Sequence, residues 1–156
     1  MQTPTHILVG IGLYELTRWL LPNLPYWGIV LIVIPLAVGS HVLLDSFNKL
    51  TYHLPEAQWK DPFWVSYHVI FVYIGALIAV IVFFIPYWWV IIAANLPDIV
   101  DWLILRLIAK KPPVFHPLID RFRNKFFGYL PDLTAKKWTV CFELSLVVIL
   151  ILVLFF

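Results

Sequence analysis

Two strings in this 156-residue chain repeat one spacing, a histidine followed four positions later by an aspartate: His41 and Asp45 in HVLLD, His116 and Asp120 in HPLID. Residues i and i+4 share a helical face, so a ring nitrogen and a carboxylate oxygen can converge on one ion. Five histidines and six aspartates placed at random would give about 0.2 such pairs. Either pair alone also fits an ordinary hydrogen-bonded couple. Asp98 and Asp101 form a third pair at i, i+3. Two carboxylates within one turn repel at low dielectric, so one is protonated unless a cation lies between them; a divalent ion resolves the conflict, and so does Arg106. With His68, these residues form the expected metal set: His41, Asp45, His68, Asp98, Asp101, His116 and Asp120. Mixed imidazole and carboxylate donors suit zinc, manganese or iron better than magnesium or calcium, and zinc or manganese is the expected cofactor. A metal-bound water with Asp98 or Asp101 as base makes such a cluster hydrolytic. The single Cys141 excludes an intrachain disulfide and a cysteine-rich metal site.

The elements that must position these groups follow from composition. Residues are 62% hydrophobic and 13% charged, with a mean hydropathy of +0.90, which excludes a soluble domain. Apolar runs at 27–39, 64–85 and 138–156 approach the roughly 20 residues that cross a hydrocarbon core. The expected fold class is all-α, a multi-pass transmembrane bundle of about five spans near 7–21, 27–48, 64–84, 87–109 and 138–156, in one integral membrane domain over 1–156. Breaks are expected at 22–26, 49–63, 85–86 and 110–137. The N-terminal stretch lacks Lys and Arg and contains Glu15 and Arg18 in its apolar run, unlike a cleavable signal peptide. If the spans alternate, loops 49–63 and 110–137 lie on one side with Lys49, Lys60, Lys110, Lys111, Arg121, Arg123, Lys125, Lys136 and Lys137. The positive-inside rule makes that side cytoplasmic and puts the C-terminus opposite. The histidine and aspartate groups then fall toward the same face. Trp and Tyr residues cluster at span ends as interfacial anchors. His6 reads as interfacial, His53 as a solvated loop residue, Glu15 and Arg18 as an ion pair, and Glu143 as an interhelical polar contact or a ligand. The RFRNKFFGYL stretch at 121–130 reads as a segment on anionic headgroups. The bilayer is the expected partner, with other membrane subunits or a homo-oligomer as further ones; nucleic acid is not expected.

A shift of 75 lays LPNLPYW (21–27) over LPDIVDW (96–102) and HVLLDSF (41–47) over HPLIDRF (116–122). One further residue of shift brings Lys49 onto Lys125 and LPE at 54–56 onto LPD at 130–132. This pattern predicts a tandem duplication, with repeats 11–85 and 86–156.

The strings SHVLLDSF (40–47) and LPDIVDW (96–102), followed by His116, resemble those of the predicted membrane-bound metal-dependent hydrolases, small multi-pass proteins with HLLLD-like and LPDID-like motifs. In this chain HVLLD precedes LPDIVD. The resemblance implies metal-ligand roles for His41, Asp45, Asp98, Asp101 and His116. The expected function is a metal-dependent hydrolase of a phosphoester or lipid-like substrate reached from the cytoplasmic leaflet; the alternative is a non-catalytic subunit or scaffold of a larger membrane complex.

Overall fold

The computed structural model describes residues 2–54 and 56–155. Pro55, within the LPE repeat, and Phe156, at the end of the last expected span, lie outside them. The described chain is all-helical, without strands. Its helices are α1 (Thr3–Leu20), α2 (Tyr26–Ser46), α3 (Pro62–Ala94), α4 (96–108), α5 (Phe115–Phe126) and α6 (Lys137–Phe155). Among the described residues three stretches are long and apolar enough to cross a membrane: Tyr26–Ser46, Pro62–Ala94 and Lys137–Phe155. Around them Leu31, Ile81, Ile85 and Val153 stand exposed, an arrangement suited to lipid rather than water. α1 packs against α2, α3 and α6. Its inward face is covered by protein and has room for buried Thr5, His6 and Thr17, which a lipid-facing surface would carry at a cost.

Prolines set the starts and turns. Pro4 and Pro62 sit in first helical turns, where a missing N–H leaves nothing unpaired, and Asp61 caps α3 by accepting from Phe63 N at 3.0 Å. The break expected at Ile85–Pro86 takes the form of a chain reversal within α3, where Tyr87 leaves helical geometry (φ −128°, ψ 17°). Gly75 packs beside Pro4 near the start of α1, and the Tyr87 hydroxyl donates to Glu15 farther along it. Val90 and Ala94 then come back to Gly10, so the residues after Tyr87 retrace α1 toward its N-terminus. Pro86 supplies the reason, since it removes one helical donor and crowds the preceding turn. The helix expected over 87–109 is itself interrupted at Asn95 (φ −108°, ψ 11°) and resumes with Pro97 in its first turn, widening into π-helical turns over Ile99–Ile108.

The expected loop 110–137 contains α5, whose alternation of Arg121, Arg123 and Lys125 with Leu118, Phe122 and Phe126 hides it from any search for apolar runs. The two basic segments meet at one end of the bundle. His53 N donates to Thr134 O, Leu133 N to Lys49 O, and Lys137 Nζ stands 2.7 Å from Asp61. At the other end, Glu15 bonds Tyr87 and Arg18 lies over Tyr14, rather than the two pairing with each other.

The inner face joins Ile7 and Ile11 of α1 to Ile29 and Val33 of α2 and to Ala79, Val90 and Ile91 of α3. Gly10 permits the closest approach, because a Cβ there would meet the Ala94 Cβ at 2.8 Å. Gly10→Val is therefore expected to cost about 2–3 kcal/mol through overpacking, measured by thermal unfolding in detergent; unchanged melting would show that α1 and α3 can separate freely.

Candidate metal centre

Near the C-terminal end of α2, His41 and Asp45 project one turn apart toward α4 and the start of α5. The local helix sets this pair; the rest of the cluster arrives by tertiary contact. His41 Nε2 lies 3.3 Å from Asp45 Oδ2 and 3.8 Å from Asp98 Oδ1, while His116 Nε2 lies 3.9 Å and 3.2 Å from the same two oxygens. One donor atom from each of His41, Asp45, Asp98 and His116 falls within 4.8 Å of all the others. Tetrahedral donors at zinc-like bond lengths are about 3.4 Å apart, so the cluster is close to the size of an ion's coordination shell. Two neutral imidazoles and two carboxylates also match a divalent charge.

The second nitrogen of each ring fixes the tautomer. His41 Nδ1 is 2.8 Å from the Ala94 carbonyl, which only accepts, so Nδ1 carries a proton and Nε2 is the atom turned toward the carboxylates. His41 is fully buried, and its Nε2 makes no hydrogen bond among the described residues. His116 Nδ1 donates to Asp101 Oδ2 at 2.8 Å, leaving its Nε2 toward Asp45 and Asp98. A carboxylate or carbonyl behind each imidazole is the arrangement that orients metal-bound histidines.

Asp101 stands behind the cluster. Its buried carboxylate accepts from the backbone N–H groups of Val114 (2.8 Å), Phe115 (3.1 Å) and His116 (2.7 Å) as well as from the His116 ring. α5 has no side-chain cap of its own, and Asp101 caps it from α4. Asp98, three residues earlier, faces the donors. Arg106, the alternative partner for this pair, lies over the Trp102 ring at 5.0 Å.

Other expected ligands fall elsewhere. His68 stacks on Trp64, with Nδ1 at the Trp64 carbonyl, and Asp120 pairs with Arg123 on the exposed side of α5. His6 belongs to the site, contrary to its interfacial reading. Buried and stacked on His41 at 3.9 Å between ring centres, it brings Nε2 within 3.2 Å of Asp45 Oδ1. The available sequence signal was its position at the loop-side end of the first helix. Asn95 also lines the cleft beside the donors; its Nδ2 donates to Ile91 O, while its buried Oδ1 has no partner among the described residues. Glu143 accepts from Gln2 N, Thr5 Oγ1 and Tyr67 Oη, tying α6 to the start of α1 and to α3.

Asp45, Asp98 and His116 line a cleft of about 480 Å³. Gln2, Asn48 and His53 give it a polar side, and Ile99, Trp102 and Leu103 an apolar one. A larger hollow of about 630 Å³ lies at the opposite end beside Glu15 and Arg18, away from the histidines and aspartates.

Burial disfavours the charged form of His116, but hydrogen bonds and charge from Asp98 and Asp101 outweigh it and raise its pKa above the ordinary imidazole value. A raised native pKa stabilises the fold below the unfolded value of about 6.5. That contribution fades as pH rises through the native value. Chelator-treated protein is thus expected to melt at lower temperature as pH rises through that window, with a flatter dependence in His116→Asn. Metal affinity should move the opposite way, because an ion must displace the same proton. A matching pH slope in His116→Asn would contradict this assignment.

No family model, curated protein or solved structure matches this chain.

Proposed function

We propose that this protein is an integral membrane metal-dependent hydrolase acting on a phosphoester or lipid-like substrate. The observation that carries the reading is the convergence of His41, Asp45, Asp98 and His116, with the Nε2 atoms of both imidazoles facing the carboxylates. Zinc or manganese suits this donor set. Such an ion supplies Lewis-acid polarisation and a water acidic enough to ionise near neutral pH. Asp98, the more exposed of the two carboxylates in the cluster, is the proposed general base, leaving His41, Asp45 and His116 to hold the ion and one position open for the water. Asp101 keeps His116 in register, its oxygens already engaged by four donors.

Five passes remain the proposed topology, supported by the reversal at Tyr87 and by α1 lying among the other helices. The basic segments and the cleft would face the cytoplasm, following the positive-inside rule. The duplication is likewise proposed: Asn48 with Arg123, Asp61 with Lys137, and Tyr67 with Glu143 join positions 75 or 76 apart, as contacts near an internal two-fold axis would.

Metal analysis of protein purified without chelator is the direct test. About one zinc or manganese ion per chain is expected, together with metal-dependent turnover of a phosphoester panel that Asp98→Asn abolishes. Metal-free protein whose stability is unaffected by His41→Ala or Asp45→Ala would overturn the proposal and favour a scaffold in a membrane complex.

A further inference from the structure

The cleft walls differ in chemistry. The donors and the Gln2, Asn48 and His53 side are polar, whereas α4 contributes Ile99, Trp102 and Leu103. These residues begin two adjoining stripes along α4. Positions 99, 103 and 107 are apolar at intervals of four; positions 102 and 106 are Trp and Arg. Neither stripe is covered farther out, since Leu103 and Leu107 are 48% and 60% exposed and Trp102 and Arg106 are exposed as well. The apolar wall therefore runs from beside the donors onto a flank facing the surroundings of the bundle. Arg106 lies over Trp102, and the Trp102 ring is 4.9 Å from that of His116, placing a cation one aromatic ring away from the donor cluster.

A small soluble phosphoester makes no use of an apolar track leading away from the metal. A bilayer lipid uses both parts, with its charged head beside the ion and guanidinium and its chain left in apolar surroundings. We infer that the cleft takes the phosphate headgroup of a membrane lipid entering sideways along α4, with an acyl chain on Ile99, Leu103 and Leu107 and Arg106 against the phosphate. This inference rests on the metal-centre reading and specifies the substrate class of that site. The track gains its advantage by delivering an amphiphile already concentrated in the membrane, while Arg106 adds a charge-assisted contact to the phosphate.

The test uses full-length protein in phosphorus-free dodecyl maltoside micelles, loaded with Mn²⁺ and measured for metal content before any ligand is added. Dioleoyl phosphatidate in the micelle and glycerol phosphate in solution are compared at equal total amounts through phosphorus hyperfine coupling to the bound Mn²⁺. Phosphatidate is expected to give the coupling at amounts at least about tenfold lower than glycerol phosphate. Arg106→Gln and Leu103→Asn, both at exposed positions, should each weaken the phosphatidate response about tenfold, equivalent to about one factor of ten in the binding constant, without lowering Mn²⁺ content. Equal responses to the two probes, or wild-type phosphatidate binding in both variants, would overturn lateral lipid entry while leaving the metal centre standing. Failure to take up Mn²⁺ would instead defeat the metal-centre reading, and this inference with it.

Discussion

Replacing His41 with alanine is expected to lower divalent-metal affinity by more than about a hundredfold, since a single protein ligand carries roughly 3 kcal/mol of a typical site's binding energy. The ring is fully buried, so its loss also removes the hydrogen bond to Ala94 O and the stacking on His6. Stability alone therefore cannot isolate the metal role. The informative measurement is the metal-induced change in melting. Metal at about a hundred times its dissociation constant should stabilise the wild type by about 2.7 kcal/mol, and His41→Ala should lose nearly all of that gain. His68→Ala is the useful contrast, because His68 bonds Trp64 rather than joining the cluster. An equal metal-induced gain in wild type and His41→Ala would remove His41 from the donor set.

Asp101→Ala is expected to reduce metal affinity about 10–100-fold even though Asp101 is no ligand, the usual cost of losing a partner behind a metal-bound histidine. Its second effect is on the fold. Backbone N–H groups of Val114, Phe115 and His116 lose their shared acceptor, each at about 1–3 kcal/mol where solvent cannot replace it. The start of α5 should loosen, which amide hydrogen exchange over 114–118 would detect. Asp101→Asn separates the effects: its single carbonyl oxygen still accepts from part of the backbone set, but its amide offers the His116 ring no carboxylate. Greater loss of metal binding than of α5 protection is expected in that variant. Undiminished affinity in both variants would make Asp101 a helix cap alone.

The legible and illegible parts of the site divide by the range of the interactions involved. His41 with Asp45 is an i, i+4 relation, and any helix through HVLLD produces it. The HPLID copy has the same spacing and a different outcome. There the histidine, in the first turn of α5, is drawn inward by Asp101, while Asp120 pairs with Arg123 on the exposed side. Asp98 and Asp101 could be read as a conflicting pair, but spacing could not say which would be the ligand. The start of α5 decided that by occupying Asp101. His6 is illegible as a site residue because its link to Asp45 crosses from α1 to α2, and such a link leaves no periodic mark in a sequence.

The sequence by itself determined the class of molecule, since so apolar a composition with so few charges requires helices in a lipid-like setting. It also determined that the few buried histidines and aspartates were the place to look for chemistry, because each costs about 2.5–3.5 kcal/mol to hold in a membrane without a purpose or partner. Tertiary structure alone decided which of them meet. That depended on the reversal at Tyr87, the interruption at Asn95 and the capping of α5 from α4, which bring groups up to 75 positions apart within 4.8 Å. A side chain's helical face follows from local backbone geometry, but its neighbours across the bundle depend on packing among whole helices.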